Sequence, residues 1–523
     1  MKIIFPEYGK EAKLVKGKTI LSYLQEQGID INASCDGEGK CGQCLIEVEC
    51  APGALADKTE AENEFIHDDI HRLACQAKIL KTDKHVYVRL RSNLYLRQLY
   101  VLESGEYKKI PIVPFVRRED KRVSIDVGEY VGAIYGIALD IGTTTLAMHL
   151  IDLETGVVLF VTSRENPQTK YGTNVISRID FARKGQDVLQ REIRNVVSEM
   201  IASLADPAKI YEMVVVGNPV MRDLFFGYSV ESLGKSPYEP QSTTPISKTA
   251  EELLFKANSK AWVYGLPLIG GFVGADALAV VLATEMYKND EICLTIDIGT
   301  NTEIVLGNRD RMIATSAAAG PAFEGASITC GIGGVNGAIK EVKIENGKAT
   351  YKTIGDAAEP VGVCGSGLID AIAELLDKKI IDGRGKFRGA EKEFRIAEDI
   401  SLSERDIDQL NLAKTAVAVG ITVLMERYGI ALGDIDSLLL AGGFVNFTNT
   451  ENAIRIGLLP DIARDKIRKV GNAAVEGARQ ALISRTKREE AEAAAIRIEH
   501  IKLEEEAEFM EKFVGELYFQ NYL

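Results

Sequence analysis

Ile134-Tyr-Gly-Ile-Ala-Leu-Asp140-Ile-Gly142-Thr-Thr-Thr145 reads as a buried strand that runs into a glycine turn. The same arrangement returns downstream as Ile292-Cys-Leu-Thr-Ile-Asp297-Ile-Gly299-Thr-Asn-Thr302. In both places two further strand-like runs follow the turn, so each copy opens a three-stranded meander. Repetition of a whole strand-turn-meander unit indicates an internal duplication. We therefore predict two similar α/β half-domains that face each other, at about residues 131–290 and 291–523.

Both glycine turns carry groups that suit phosphate binding. A glycine turn at a strand end offers backbone N–H groups to phosphate oxygens. Further donors follow the two glycines, Gly142 and Gly299, at Thr143, Thr144, Thr145, Thr300, Asn301 and Thr302. Asp140 and Asp297 at the strand ends can hold Mg²⁺, directly or through its water shell. One Asp-x-Gly-Thr would be an ordinary β-turn, but two copies in matching surroundings favour a nucleotide site. The sequence contains no Walker-type glycine-lysine motif, which argues against a P-loop protein.

Two further glycine-rich turns complete the predicted nucleotide site. Gly270-Gly-Phe-Val-Gly274-Ala-Asp276 leads into an apolar helix, where Asp276 either caps the helix or orients a water for attack on phosphate. Ser437-Leu-Leu-Leu-Ala-Gly442-Gly443 is a buried strand that breaks into a double glycine, against which a flat adenine or ribose ring can lie. We name Asp276, Asp297 and Asp140 as candidate catalytic residues. Gly442 and Gly443 are the candidate contacts to the nucleoside.

The N-terminal region predicts a site of another kind. The stretch Cys35-Asp-Gly-Glu-Gly-Lys-Cys41-Gly-Gln-Cys44 places three thiols among glycines, and Cys75 follows in the same region. The first gap is one residue longer than in the plant-type C-x4-C-x2-C pattern of [2Fe–2S] ferredoxins. Four-cysteine zinc sites usually come as two C-x2-C knuckles, and nothing marks the chain as secreted, which disfavours disulfides. Cys35, Cys41, Cys44 and Cys75 are therefore predicted to ligate a [2Fe–2S] cluster.

The chain divides into three predicted regions. Residues 1–90 read as one small module of strands and short helices around the cysteine loop, with Cys50 packed in a strand rather than ligating. Residues 91–130 mix basic side chains and prolines with short apolar runs, which is typical of a linker with little structure of its own. The remainder, 131–523, is the duplicated domain. Within it, the charged run at 485–495 is predicted to be a solvated helix.

Composition limits the classes of function. The chain has 523 residues, of which 46% are apolar and 26% charged, as in ordinary multidomain globular proteins. A net charge of −14 argues against sequence-independent nucleic-acid binding. No uncharged apolar run approaches the roughly eighteen residues of a membrane span, and the N-terminus shows no export signal. We expect a cytoplasmic protein with no membrane or nucleic-acid partner, whose eight cysteines stay reduced.

Residues 131–523 resemble the actin/sugar-kinase/heat-shock-chaperone ATPase superfamily. Within it the chain is most similar to the reductive activators of corrinoid proteins, which join an N-terminal [2Fe–2S] ferredoxin module to such an ATPase domain. The stretches that carry the likeness are Val214–Met221, Gly271–Asp276, Ala319–Gly325, Cys364–Asp370, Ala441–Phe444 and Gly457–Pro460. Val445 stands where the family pattern has glycine, and the linker looks short for the family. The resemblance implies an α+β ferredoxin module, a linker, and a duplicated ribonuclease-H-like domain that takes ATP with Mg²⁺.

The activity that the resemblance implies is ATP-dependent reduction of an inactive Co(II) corrinoid protein to Co(I). The electron would pass from the [2Fe–2S] cluster, which an upstream low-potential donor would reduce. Such a cluster lies near roughly −400 mV, and Co(I) is harder to reach, so ATP would help by closing the half-domains on the acceptor. Two alternatives stay open: a small-molecule kinase with a redox-sensing ferredoxin module, and a nucleotide-switched binding module. Homodimer formation also stays open.

Overall fold

The chain forms two compact units, Met1–Gln98 and Leu99–Leu523. A computed structural model describes residues 1–29, 44–66, 71–89, 108–119, 122–123, 130–325, 327–356 and 359–519. Two of the predicted cluster ligands, Cys35 and Cys41, lie outside these described residues.

The N-terminal unit is a five-stranded mixed sheet with two short helices. Its elements are β1 (Lys2–Phe5), β2 (Lys10–Lys13), α1 (Ile20–Glu26), β3 (Leu45–Cys50), α2 (Glu60–Phe65), β4 (His71–Leu73) and β5 (Val86–Arg89). The strand order is β2-β1-β5-β3-β4, with β1 and β5 parallel and the other pairs antiparallel. Thr19 caps α1, and buried Ile20, Tyr23 and Leu24 pack its inner face into the core. The predicted α+β module is confirmed.

The large unit begins with β6 (Arg118–Glu119) and β7 (Arg122–Val123), which pair antiparallel, and continues into a six-stranded sheet. The elements that follow are β8 (Tyr135–Ile141), β9 (Thr145–Asp152), β10 (Val158–Glu165), α3 (Val175–Leu204), β11 (Ile210–Gly217), α4 (Pro219–Phe226), β12 (Ile246–Thr249), β13 (Trp262–Gly265) and α5 (Ala275–Thr284). The sheet order is β10-β9-β8-β11-β13-β12, in which β8, β11 and β13 run parallel. All eight residues of β11 are buried, as expected for a central parallel strand.

A second six-stranded sheet follows. Its half contains β14 (Cys293–Ile298), β15 (Thr302–Gly307), β16 (Met312–Ala317), β17 (Ala338–Glu345), β18 (Lys348–Thr353), β19 (Gly362–Val363), α6 (Gly365–Asp377), β20 (Glu393–Ala397), β21 (Ile400–Ser403), α7 (Glu404–Tyr428), β22 (Ser437–Ala441), α8 (Thr450–Arg455), β23 (Ile467–Gly471), α9 (Ala473–Ile483), α10 (Arg485–Arg497), β24 (Ile498–His500) and α11 (Phe509–Gly515). The order is β23-β22-β14-β15-β16-β24. Two small sheets, β18-β17-β19 and β20-β21, are inserted between β16 and α7.

The two large sheets confirm the predicted duplication. In the first, the meander β8–β10 continues into parallel β11 and β13; in the second, the meander β14–β16 continues into parallel β22 and β23. The halves also share a hydrophobic core, in which α5 and α9 pack together and contact strands of both sheets. Because this core is common to both halves, a change in their relative position has to work against its packing.

Helix α7 is the one element of the described residues that is long and apolar enough to cross a membrane by length and composition. Within the large unit, 78% of its apolar window is buried, and its side chains Ala413, Val417 and Ile421 belong to the core of the second half. The burial is that of a core helix.

The last part of the predicted linker lies against the large unit. The Val113 N–H donates to the Ile483 carbonyl at 2.8 Å, and the Val116 N–H donates to the Glu212 carboxylate at 3.1 Å. Val116 is fully buried, and the ring of Phe115 lies 5.3 Å from that of Trp262. Residues 110–116 are therefore anchored to the large unit although they have little regular structure of their own.

The prediction of a solvated helix at 485–495 is wrong at its first turn. Lys487 and Arg488 of α10 are both buried. The Arg488 guanidinium pairs with the carboxylate of Glu212 on β11 and lies 4.3 Å from the Tyr264 ring centroid. Its Nε also donates to the Ala481 carbonyl at 3.2 Å. Charge runs usually face water, but Glu212 and Tyr264 come from distant parts of the chain.

We expect Arg488→Met to destabilise the large unit by about 3–5 kcal/mol, because removal of one partner leaves a buried charge uncompensated. Burial already raises the pKa of Glu212, and the arginine opposes that rise. Urea unfolding followed by circular dichroism measures the effect. Arg497→Met on the exposed end of the same helix is the matched control, and equal stability of the two variants would contradict the prediction.

Candidate functional site

The first glycine turn joins β8 to β9 and is held in place by two asparagines. The Asn166 amide donates to the Gly142 carbonyl at 2.9 Å, and the Asn218 amide donates to the Thr143 hydroxyl oxygen at 3.0 Å. The Gly142 N–H donates to the Thr145 carbonyl at 3.0 Å. This N–H is therefore used within the turn, and Thr144 at its tip keeps a half-buried side chain.

A buried arginine braces the same turn from behind. Arg178 on α3 is fully buried, and its guanidinium donates to the carbonyls of Thr143 and Gly172 and to the Gln168 side chain. Burial lowers the pKa of Arg178 to about 10, while Glu324 acts in the opposite direction. The residue stays a cation at neutral pH, so it adds positive charge close to the turn. Sequence reasoning did not identify Arg178.

The second turn joins β14 to β15. Asp297 lies near the end of β14, followed by half-buried Gly299 and Asn301. Thr300 is 4% exposed but uses its hydroxyl in the site, as described below, whereas Thr302 is 0% exposed within β15. The structure therefore brings Gly299, Thr300 and Asn301 to the turn and places Thr302 in the sheet.

The double glycine after β22 lies against this second turn. Gly442 has φ +107°, which favours glycine, and a Cβ there would lie 2.5 Å from the Ile298 carbonyl oxygen and 3.2 Å from Asp297 Oδ1. Gly443 begins the following turn, and Val445 is buried in the core of the second half. The structure thus places the predicted nucleoside contact directly beside the aspartate of the second turn.

One carboxylate connects the two turns. Glu324 accepts a hydrogen bond from the Thr144 hydroxyl at Oε1, 2.8 Å away, and a second from the Thr300 hydroxyl at Oε2. Thr144 follows β8 and Thr300 follows β14, so the contact joins the two halves. Glu324 ends a short helical turn, Pro321–Glu324, inside Ala319–Gly325, one of the stretches that carry the family likeness. No sequence signal pointed to this bridge.

Four other acidic side chains interact electrostatically around the turns. Burial raises the pKa of Asp140 well above its ordinary value, and Asp276 and Asp297 raise it further. Burial, with Asp276 adding to it, raises the pKa of Asp297 to about 7. Burial raises the pKa of Glu303 on β15 well above its ordinary value, and Asp276 and Asp297 raise it further. The structure therefore brings Asp140, Asp276 and Asp297 together, as predicted from their motifs, and adds Glu303.

Asp276 does not act as the N-cap of α5. That position belongs to Gly274, which makes no side-chain cap, while Asp276 Oδ1 accepts the Ala277 N–H at 2.9 Å. A Cβ on Gly274 would lie 2.6 Å from both the Asn218 Cα and the Gly217 carbonyl oxygen. This close approach brings Asp276 to the first turn. Burial raises the pKa of Asp276 to about 6.

The described part of the cysteine site brings two predicted ligands together. Cys44 and Cys75 are buried in the core of the N-terminal unit, and the Cys75 N–H donates to Cys44 Sγ at 3.4 Å. The Gln76 amide donates to Cys75 Sγ at 3.5 Å. Such donors are what cluster sulfurs accept. Cys50 is half-buried in β3, as predicted for a packed residue.

Comparison with known proteins gives matches along both units. Family models match residues 5–80 as a 2Fe-2S iron-sulfur cluster binding domain, residues 135–289 as the RACo middle region, and residues 291–522 as the C-terminal domain of RACo, the ASKHA domain. The corrinoid activation enzyme RamQ of Eubacterium limosum is 31% identical over 98% of this chain and 98% of its own. The chain belongs to the reductive activators of corrinoid proteins.

Other members of the reductive-activator family and their structures agree. The [Co(II) methylated amine-specific corrinoid protein] reductase of Methanosarcina barkeri is 29% identical over 68% of this chain and 71% of its own length. A solved structure described as a reductive activator for corrinoid, iron-sulfur protein superposes with a TM-score of 0.74 at 29% identity, over 99% of this chain and 98% of that one. The resemblance inferred from the motifs is confirmed.

As a reductive activator, the protein takes a [2Fe–2S] cluster and ATP with Mg²⁺. Among the described residues no three His, Cys, Asp or Glu side chains converge closely enough to hold a metal directly. The half-buried carboxylates of Asp140 and Asp297 still fit Mg²⁺, which keeps several waters and needs few protein ligands. Holding the ion through its water shell is therefore the arrangement that these residues suit.

A buried ion pair supports the strand that leads to Cys75. The Glu62 carboxylate accepts from Arg72 Nε at 2.8 Å and from the Leu73 N–H at 3.1 Å. Glu62 also forms the capping box of α2 with Thr59. Burial raises the pKa of Glu62, but the hydrogen bonds from Arg72, Thr59 and Leu73 outweigh it and hold the pKa below its ordinary value of 4.5.

We expect Glu62→Gln to destabilise the N-terminal unit by about 3–5 kcal/mol at neutral pH, because Arg72 is left buried without its partner. A lowered folded-state pKa contributes stability above the ordinary value and loses it as the pH falls through the folded value. The difference in the free energy of unfolding between wild type and Glu62→Gln should therefore become smaller below pH 4.5. Unfolding in guanidinium chloride at pH 7 and at lower pH measures this difference, with Glu60→Gln at an exposed position of the same helix as the control. A difference that becomes larger in acid would contradict the prediction.

Proposed function

We propose that this protein performs ATP-dependent reductive activation of a corrinoid protein. One electron passes to the Co(II) of the corrinoid, which becomes Co(I), while ATP and water give ADP and phosphate. When bound, the [2Fe–2S] cluster supplies a one-electron carrier, which an upstream low-potential donor reduces again. The chain's own residues hold the cluster, bind the nucleotide and set the relative position of the two halves.

One observation carries the proposal: a two-turn nucleotide site and a ferredoxin module lie in one chain that matches RamQ along nearly its whole length. RamQ is named as a corrinoid activation enzyme and the Methanosarcina barkeri relative as a Co(II) corrinoid protein reductase. A kinase needs no electron carrier, and an electron carrier alone needs no ATP site. Their fusion suits a reaction that uses both.

The physical role of ATP follows from energetics. In a one-electron transfer each gap of about 59 mV changes the equilibrium tenfold, and a cluster near roughly −400 mV is a weak donor for Co(I). ATP shifts this equilibrium only if one conformation of the activator binds both ATP and the corrinoid protein better than the other does. Because the nucleotide site is built from both halves, ATP binding has a direct effect on their spacing.

The residues of the nucleotide site take distinct proposed roles. Asp140 and Asp297 hold Mg²⁺ through its water shell, since each lies near the end of the strand that enters a phosphate turn. Asp276 orients the attacking water, because it lies at the first turn, where the Ala277 N–H donates to its Oδ1 and fixes the carboxylate. Gly442 and Gly443 are proposed to face the nucleoside.

We further propose that the acceptor is a corrinoid protein that takes its methyl group from a methylated amine or a related donor, by analogy with the methylated amine-specific corrinoid protein reductase of Methanosarcina barkeri. The six cysteines within the described residues form no disulfides with one another, which supports a location in the reducing cytoplasm. Analytical ultracentrifugation of the cluster-loaded protein measures whether two copies associate.

The test uses anaerobically purified, cluster-loaded protein, a chemical reductant and a methylated-amine-specific Co(II) corrinoid protein. Loss of the Co(II) absorption should be much faster with MgATP than with MgADP or without nucleotide. ATP hydrolysis should also rise when the corrinoid protein is added. Equal rates with and without ATP would contradict the proposal, whereas phosphate transfer to a metabolite in protein that lacks its cluster would favour a kinase.

A further inference from the structure

The Glu324 bridge places a negative charge between the two phosphate turns. Its two oxygens accept from Thr144 on one side and from Thr300 on the other. Both hydroxyls belong to turns whose proposed ligand is the phosphate chain of ATP. An ionised carboxylate can only accept hydrogen bonds, as a phosphate oxygen does. Glu324 therefore uses the same two donors that a phosphate held between the turns would use.

The surroundings of Glu324 make this competition strict. The Thr143 hydroxyl accepts from Asn218, whereas the Thr144 hydroxyl at the tip of the turn donates to Glu324. Arg178 lies close enough to attract the Glu324 carboxylate, and it would attract a phosphate in the same way. A phosphate oxygen and an ionised carboxylate within hydrogen-bond distance of the same hydroxyls would repel each other strongly.

ATP differs from ADP by its terminal phosphate. A carboxylate displaced by that phosphate would therefore keep its two hydrogen bonds when ADP is bound. The segment that follows Glu324 also contacts α7, where the Thr329 N–H and hydroxyl both donate to Asp406 Oδ1. Displacement of Glu324 would therefore shift this segment at the start of α7, next to the inserted sheets. The position of the segment would then differ between the ATP state and the ADP state.

We propose that Glu324 is a positioning residue that responds to the terminal phosphate of ATP. In the nucleotide-free and ADP states it accepts hydrogen bonds from both Thr144 and Thr300, and the terminal phosphate of ATP displaces it. This inference rests on the proposed function, because it requires that the two turns bind ATP. It assigns to one carboxylate the discrimination between ATP and ADP that a nucleotide-driven cycle needs. Its side chain opposes ATP binding, and the cost of displacing it is recovered when phosphate leaves.

The experiment measures the dissociation constants of MgATP and MgADP by calorimetry for wild type, Glu324→Gln and Glu324→Ala. Glutamine keeps the shape and removes the charge; alanine removes the bridge. We expect MgATP to bind about tenfold more tightly to the alanine variant, equivalent to about 1.4 kcal/mol. A smaller gain is expected for glutamine. MgADP affinity should stay within about twofold of wild type in both variants.

The controls distinguish the inference about Glu324 from the proposed function on which it rests. Glu341→Gln, on the partly exposed face of β17, should change neither constant. A role in structure alone would weaken ATP and ADP together, and a role as a metal ligand would weaken ATP most; either result, or two unchanged constants, overturns the inference. If wild type itself binds no ATP, the proposed function fails instead. The isosteric glutamine variant keeps the test valid if the alanine variant does not fold.

Discussion

A Cys44→Ala variant is expected to lose the visible absorption of the cluster and all Co(II) reduction, while it still binds ATP. A [2Fe–2S] centre needs four thiolates, and Cys44 is 1% exposed with its sulfur accepting the Cys75 N–H. Removal of this ligand leaves no neighbouring thiol among the described residues to replace it. ATP binding should persist because the nucleotide site lies in a separate unit of the chain.

Cys50→Ala is the matched control for this variant. Cys50 lies in the same module, is half-buried in β3 and is not among the predicted ligands. Its replacement should leave the spectrum, the EPR signal of the reduced protein and the rate of Co(II) reduction unchanged. If Cys44→Ala still reduced cobalt, or if Cys50→Ala lost the cluster, the assignment of the ligands would be wrong.

The duplicated fold was predictable because its signal is local. Asp140 and Asp297 are each preceded by an apolar run and followed by a glycine turn, and the structure places them near the ends of β8 and β14. Strand, turn and meander are set by residues within a few positions of each other. Cys44 and Cys75 lie 31 residues apart, and they were predicted from a spacing pattern typical of cluster-binding modules.

The parts of the site that escaped prediction depend on distant contacts. Glu324 lies 180 residues from Thr144, and Arg488 lies 276 residues from Glu212. A glutamate after Pro-Ala-Phe, or an arginine in a charged run, has no local feature that separates a buried role from an exposed one. Thr302 lies within β15, which pairs with β16, and is 0% exposed, so its phosphate contact stays a prediction from the repeat alone.

Asp297→Asn is expected to reduce ATP hydrolysis and ATP-stimulated Co(II) reduction by about a hundredfold while the cluster stays intact. Groups that orient the water shell of a metal typically contribute 10–100-fold to its affinity, and the loss of one negative charge adds to this. Asparagine has the same shape, which matters because the space beside the carboxylate is tight: a Cβ at Gly442 would lie 3.2 Å from Asp297 Oδ1. Asp310→Asn, whose side chain is 80% exposed in the same half, is the matched control.

The dependence on Mg²⁺ decides which role Asp297 has. If its carboxylate holds the ion through water, a higher Mg²⁺ concentration should restore part of the hydrolysis rate in Asp297→Asn, because weaker binding is compensated by mass action. If it orients the attacking water, saturating Mg²⁺ should restore nothing. Full activity of the variant at low Mg²⁺ would contradict both roles. Cys44→Ala removes electron transfer and Asp297→Asn removes ATP turnover, each in a different unit of the chain. Together the two variants test whether these functions are lost independently and whether Co(I) formation needs both.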